Sequence, residues 1–162
     1  LGITKAYTTR VGSGPFPCEL DDLIGEKIQT KGNEFGATTG RRRRCGWLDL
    51  PLLKYTVKAS NISSIALTKL DVLSNIDQLK ICTGYKIDGQ DITCAYPGLD
   101  LDRVTPVYEE LTPFTDDFSS ESLSKELNAY ITKIEEFVGV KVGVIAYGPE
   151  RSEIQFRNYQ ST

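Results

Sequence analysis

The sequence contains neither histidine nor methionine. Without histidine, no chemistry in these residues can use an imidazole as base, acid or metal ligand. Without methionine, the chain does not begin at a natural start codon, which points to a fragment or a processed product. No apolar run approaches the length of a membrane span, and the amino terminus, LGITKAYTTR, lacks the basic-then-apolar layout of a signal peptide. There is also no Cys-x-x-Cys pair. Cys18, Cys45, Cys82 and Cys94 are scattered, which argues against a zinc framework and for free thiols in a reducing compartment. A cytoplasmic chain with no membrane partner is expected. The net charge is −3 and the isoelectric point about 5.1, so the broad basic face of a general nucleic-acid binder is missing and no nucleic-acid partner is expected.

What is present fits one globular piece. The 162 residues are 40% hydrophobic and 25% charged, enough to bury a real core. The segment TTRVGSGPFPCEL reads as an irregular loop, broken by Gly12, Gly14, Pro15 and Pro17. DDLIGEKIQTKGNEFG reads as weakly helical or turn. Leu48, Leu52, Leu53 and Val57 fall at helical spacing, and a helix is expected from about Asp49, its N-cap, to Ala59, with Pro51 in the first turn. SSIALT reads as a short buried strand, and Asp88-Gly89 as the turn of a hairpin. Leu123, Leu127, Tyr130, Ile131, Ile134 and Phe137 form one apolar stripe on the strongest helix, ended by Gly139. KVGVIAYGPERSEIQF reads as strand, Gly-Pro turn and strand. Helices interleaved with strands give an α/β fold with a mixed, mainly parallel sheet, flanking helices and an antiparallel hairpin.

Two stretches carry candidate chemistry. In IALTKLD a strand runs into Lys69, Leu70 and Asp71. An aspartate at the carboxyl end of a strand faces the ligand crevice of an α/β sheet. Its two oxygens match the ring N–H and exocyclic amine of guanine, and a lysine stem can lie on the base. A solvated strand-end turn is the plain alternative. In GATTGRRRR, Gly36, Ala37 and Gly40 let backbone N–H groups approach an anion, Thr38 and Thr39 add hydroxyls, and Arg41 to Arg44 offer planar forks for carboxylate or phosphate. Four adjacent like charges imply local counter-anions, although a solvated basic loop or a localisation signal fits the same residues. The loop RVGSGPFP lacks the spacing of a Walker phosphate loop. Glu109, Glu110, Asp116, Asp117, Glu135 and Glu136 read as surface charges, and Tyr147-Gly148-Pro149 as a turn.

TTRVGSGPFPCEL, GNEFGATTGRRRRCGWLDL, LTKLDVL and YITKIEEFVGVKVGVIAYGPER, in this order and spacing, resemble adenylosuccinate synthetases. The likeness covers nearly all of residues 1–162 and corresponds to the carboxy-terminal portion of that enzyme, part of a larger P-loop-like nucleotide-binding fold. It implies GTP-dependent ligation of IMP and L-aspartate to adenylosuccinate, through a 6-phosphoryl-IMP intermediate and with Mg2+. By the resemblance, Ala37, Thr38, Thr39, Gly40, Arg41, Arg42 and Arg43 form the aspartate loop. Val11 and Arg41 meet IMP. Arg43, Lys69, Leu70 and Asp71 meet GTP, as do Ala146, Tyr147 and Gly148, where the family more often has Ser-Thr-Gly or Ser-Val-Gly. Cys18 stands where threonine is common. The family's phosphate loop, catalytic aspartate, catalytic histidine and magnesium ligands match nothing here and are expected upstream, as is the arginine exchanged in its homodimer. The chain alone is therefore expected to be inactive. A non-catalytic guanine-nucleotide binding module, using Lys69 to Asp71 alone, is the rival reading.

Overall fold

The computed structural model describes residues 1–118 and 122–157. A four-stranded sheet organises them. Strands β1 (Gly2–Lys5), β4 (Ser64–Thr68) and β8 (Lys141–Ala146) run parallel side by side, and β9 (Ile154–Phe156) returns antiparallel on β8. Two short strands, β2 (Thr8–Arg10) and β3 (Arg44–Gly46), pair antiparallel. A three-stranded antiparallel sheet is built from β5 (Leu79–Ile87), β6 (Gln90–Ile92) and β7 (Thr105–Leu111). Four helices complete the described fold: α1 (Leu23–Lys31), α2 (Leu50–Ala59), α3 (Leu70–Leu73) and α4 (Lys125–Val138). The mixed, mainly parallel α/β architecture agrees with the sequence reading.

Local chemistry explains most of these elements. Asp49 caps α2 by accepting the Leu52 amide at 3.0 Å, and Pro51 sits in the first turn, where no amide is needed. Ser124 caps α4, and Gly139, at φ 81°, ends it in the left-handed region that a side chain would disfavour. The apolar stripe of α4 buries Leu127, Tyr130, Ile131 and Ile134 in one core with Ile65, Leu67, Val142 and Ile145 of the sheet. The Tyr130 hydroxyl donates to the Ala6 carbonyl oxygen at 2.5 Å, fastening the helix to the end of β1. Asp88 and Gly89 both have positive φ, as the tight turn between β5 and β6 demands.

The structure corrects three sequence expectations. Thr8–Arg10 is a strand rather than loop, because Arg44–Gly46 supplies an edge to pair with; the irregular course begins only afterwards. Glu135 is buried, not a surface charge. Gly139 reverses the chain so that β8 delivers the Val142 amide to its carboxylate at 2.9 Å, with Lys141 at 3.1 Å and Arg157 at 3.3 Å. Asp116 is half-buried and accepts both the amide and the hydroxyl of Ser124, steadying the cap of α4. Glu110, Asp117 and Glu136 are exposed as expected. The strand β7 had no reading in the sequence. No helix among the described residues is long and apolar enough to cross a membrane.

Candidate functional site

Parallel strands place their carboxyl ends together. Lys5 of β1 lies opposite Thr68 of β4, and Leu67 lies opposite Ile145 of β8. The residues that follow these strands therefore meet at one rim: Ala6 and Tyr7, Lys69 to Asp71, and Tyr147 and Gly148 after Ala146. In open α/β sheets this rim is where ligands bind. The two segments that the sequence assigned to a guanine base, far apart in the chain, are thus neighbours by topology.

Lys69 holds the turn between β4 and α3 in the left-handed region, at φ 61°. For a residue with a side chain that conformation costs roughly 1–2 kcal/mol. Its ammonium is fixed by the Gly32 carbonyl oxygen at 2.5 Å. Asp71 follows in the first turn of α3. Its carboxylate is half-buried, and Oδ1 is buried with no hydrogen-bond partner among the described residues. Burial raises the Asp71 pKa, opposed by local backbone amides and by Lys31 and Lys69. A buried acceptor without a donor is costly unless a ligand supplies one. One other buried side-chain atom among the described residues shares that condition: Arg10 Nε, at the end of β2 beside Val11. Val11 itself is exposed.

The rim is closed on one side by aromatic stacking. The rings of Tyr147 and Phe118 lie 4.7 Å apart and nearly parallel, at 6°. The chain leading to Phe118 is tied to the end of α3, where Ser74 donates to the Asp116 carbonyl oxygen at 2.8 Å and Asn75 to that of Phe114 at 3.0 Å. Tyr147 to Glu153 form a turn, with the Tyr147 amide donating to the Glu153 carbonyl at 3.1 Å. The expected Gly-Pro turn is present.

The arginine stretch divides into two pairs. Ala37, Thr38, Thr39, Gly40, Arg41 and Arg42 are exposed at the tip of a loop closed by Gly36 N–H to Arg41 O at 2.8 Å and Gly40 N–H to Gly36 O at 2.9 Å. A Cβ on Gly36 would stand 2.8 Å from Thr39 Oγ1, so glycine is what lets Thr39 fold back over the loop. Arg43 and Arg44 point into the protein. Arg44 forks onto Glu19 at 2.6 and 2.5 Å, and its third nitrogen reaches the carbonyls of Gly12 and Gly14. Arg43 Nη1 donates to Glu34 at 3.0 Å. The counter-anions demanded by four adjacent arginines are therefore partly internal. Arg41 and Arg42 alone present their charge outward. Beneath the loop lies a polar cavity of about 450 Å³, between Arg42 and Arg43 and the acidic Glu19, Asp22 and Glu26.

Glu34 and Lys5 were not singled out in the sequence. Their roles depend on a contact across 29 residues, which no local pattern announces. All four cysteines are free thiols. Cys18, Asp49 and Cys82 bring their donor atoms within 4.8 Å of one another. The Asp49 oxygens there already accept the Tyr85 hydroxyl at 2.5 and 2.6 Å, the Leu52 amide and the Cys18 thiol. Sulfur-rich and buried, this group does not suit Mg2+, which prefers oxygen donors and keeps its waters.

Comparison with known proteins agrees with this geometry. The family described as adenylosuccinate synthetase matches residues 1–155. Adenylosuccinate synthetases of Francisella tularensis are 57% identical in the subspecies tularensis strain WY96-3418 and 56% in the subspecies novicida strain U112, each over 158 residues. These alignments cover 96% of this chain and 37% of each relative, so the chain spans little more than a third of their length. The structure of fully ligated adenylosuccinate synthetase from Plasmodium falciparum superposes with a TM-score of 0.90 at 35% identity, over 96% of this chain and 39% of that one. With the family pattern running through 155 residues and the same fold beneath it, the chain belongs to the adenylosuccinate synthetase family.

Proposed function

We propose that residues 1–162 are the carboxy-terminal portion of a protein that joins IMP and L-aspartate to give adenylosuccinate at the expense of GTP, the step that commits IMP to AMP. The observation that carries this reading is the unpartnered, buried Asp71 Oδ1 on the rim shared by the ends of β4 and β8. An acceptor there fits the N–H edge of guanine, with Lys69 fixed beside it and Ala146, Tyr147 and Gly148 on the adjoining strand end.

In this reading, the exposed Thr38, Thr39, Arg41 and Arg42 hold the two carboxylates of aspartate, and Arg41 also meets IMP beside Val11. Arg43, at the base of the same aspartate loop, also reaches toward GTP with the part of its fork that Glu34 leaves open. GTP phosphorylates the 6-oxygen of IMP, and the aspartate amine displaces that phosphate. These residues contribute by orienting the amine and the nucleotide and by neutralising charge, which is most of what phosphoryl transfer asks of a protein. Mg2+ supplies further charge neutralisation at the phosphates. Its ligands, like the groups that move protons, are assigned outside residues 1–162, which contain no histidine. The working form is a cytoplasmic homodimer, and these residues alone give no turnover.

The test is adenylosuccinate formation by the full-length protein. Product should appear with IMP, L-aspartate and GTP together and with none of them omitted. A protein that binds GDP but forms no product, and whose GDP affinity ignores Arg41 and aspartate, is instead a guanine-nucleotide binding module.

A further inference from the structure

Glu34 is fully buried, yet its side-chain contacts come from three separate parts of the chain. Lys5, at the end of β1, reaches both carboxylate oxygens, at 2.8 and 2.9 Å. The Tyr7 hydroxyl donates to Oε1 at 2.5 Å. Arg43, from the arginine stretch, donates to Oε2 at 3.0 Å, and Lys69, from the guanine element, stands 3.7 Å from Oε1. An ordinary ion pair matches one cation to one anion. Here Lys5, Arg43 and Lys69 converge on a single carboxylate, with 26%, 33% and 37% of their side chains exposed against 0% for Glu34. Three partly exposed cations thus surround one buried anion.

The surroundings are shaped for this contact. Gly32 ends α1, and a Cβ there would lie 2.3 Å from the Tyr7 hydroxyl, so the backbone is kept thin where Tyr7 reaches Glu34. The Gly32 carbonyl takes the ammonium of Lys69. Burial pushes the Glu34 pKa up, but hydrogen bonds from Lys5, Tyr7 and Arg43 more than offset it and bring the value down to about 2. The carboxylate is thus charged at any physiological pH.

We propose that Glu34 is a positioning residue common to both halves of the site, setting Arg43 and Lys69 from one carboxylate and so coupling the aspartate and guanine-nucleotide sites. The inference rests on the function proposed above. A ligand that draws Arg43 to a new position changes the field and the space in which Lys69 sits, and the reverse holds by linkage.

The test uses the full-length protein. Glu34→Gln keeps the volume and an acceptor for Tyr7 while removing the charge. The KM values for L-aspartate and for GTP should both rise about tenfold. In calorimetric titrations with GDP, IMP and L-aspartate should tighten binding to the wild type and not to Glu34→Gln. A structural role alone would lower the melting temperature or kcat and leave both KM values and the GDP ratio at wild-type levels; that result overturns the proposal, as does a wild type that shows no such tightening. If Glu34→Gln fails to fold, Tyr7→Phe removes one hydrogen bond to Glu34 and no charge. It should raise the same two KM values together by about threefold, and unchanged values overturn the proposal. A wild-type protein that forms no adenylosuccinate overturns the reading of function and this coupling with it, before any variant is made.

Discussion

The ammonium of Lys69 rests 2.5 Å from the carbonyl oxygen of Gly32. That one bond joins the turn after β4 to the end of α1, two residues before Glu34. Lys69 and the segment that leads into the arginines are therefore fastened to the same piece of backbone. Lys69→Ala removes the bond and the charge beside Asp71. Bonds to charged groups are worth about 1.5–3 kcal/mol, so the dissociation constant of GDP, read by calorimetry on the full-length protein, should rise at least roughly tenfold. An unchanged constant would place guanine elsewhere.

Neighbouring arginines should behave differently. Arg41 is exposed and makes no ion pair among the described residues, whereas Arg44 is held in a two-bond fork by Glu19. Arg41→Ala should raise the KM for L-aspartate and IMP without moving the melting temperature. Arg44→Ala should lower stability by about 1 kcal/mol, the value of a well-formed but partly exposed pair, with smaller effects on KM. Urea unfolding and steady-state kinetics on both variants check the contrast, and reversed behaviour would contradict it.

Much of this could be read from the chain before its fold was known, and the reason is locality. The Asp49 cap, the Asp88-Gly89 turn and the apolar stripe of α4 are each decided within a few residues. The arginine loop and the Lys69–Asp71 element are short and contiguous, and family likeness marked them. Glu34 and Glu135 were not legible in the same way. A carboxylate in a polar stretch reads as solvated unless the partner is known, and theirs come from the end of β1, the arginine stretch, the turn after β4, the start of β8 and the residue after β9. Phe118 was missed for the same reason, since its ring partner Tyr147 lies across the rim.

Acid should weaken the protein partly through Glu34. Its pKa is lowered from an ordinary carboxylate value to about 2 on folding. A lowered pKa means stabilisation that is complete above the unfolded value and lost as pH falls toward the folded one. The stability gap between wild type and Glu34→Gln should therefore be widest near neutral pH and shrink by about 3 kcal/mol between roughly pH 5 and pH 2. Asp49 and Asp71, whose pKa values burial raises, act with the opposite sign and cancel in the comparison. Denaturant unfolding across that range measures the gap; a constant gap would show that Glu34 does not titrate as described.

If Asp71 reads the base as proposed, nucleotide choice should change in the full-length Asp71→Asn protein. A carboxylate only accepts, which suits the N–H edge of guanine. An amide also donates, which suits the 2-carbonyl of xanthine. The ratio of kcat/KM for GTP to that for XTP should invert, with GTP use falling at least about a hundredfold, since a mismatched buried polar group discriminates strongly. A variant that keeps the wild-type preference for GTP would contradict the account.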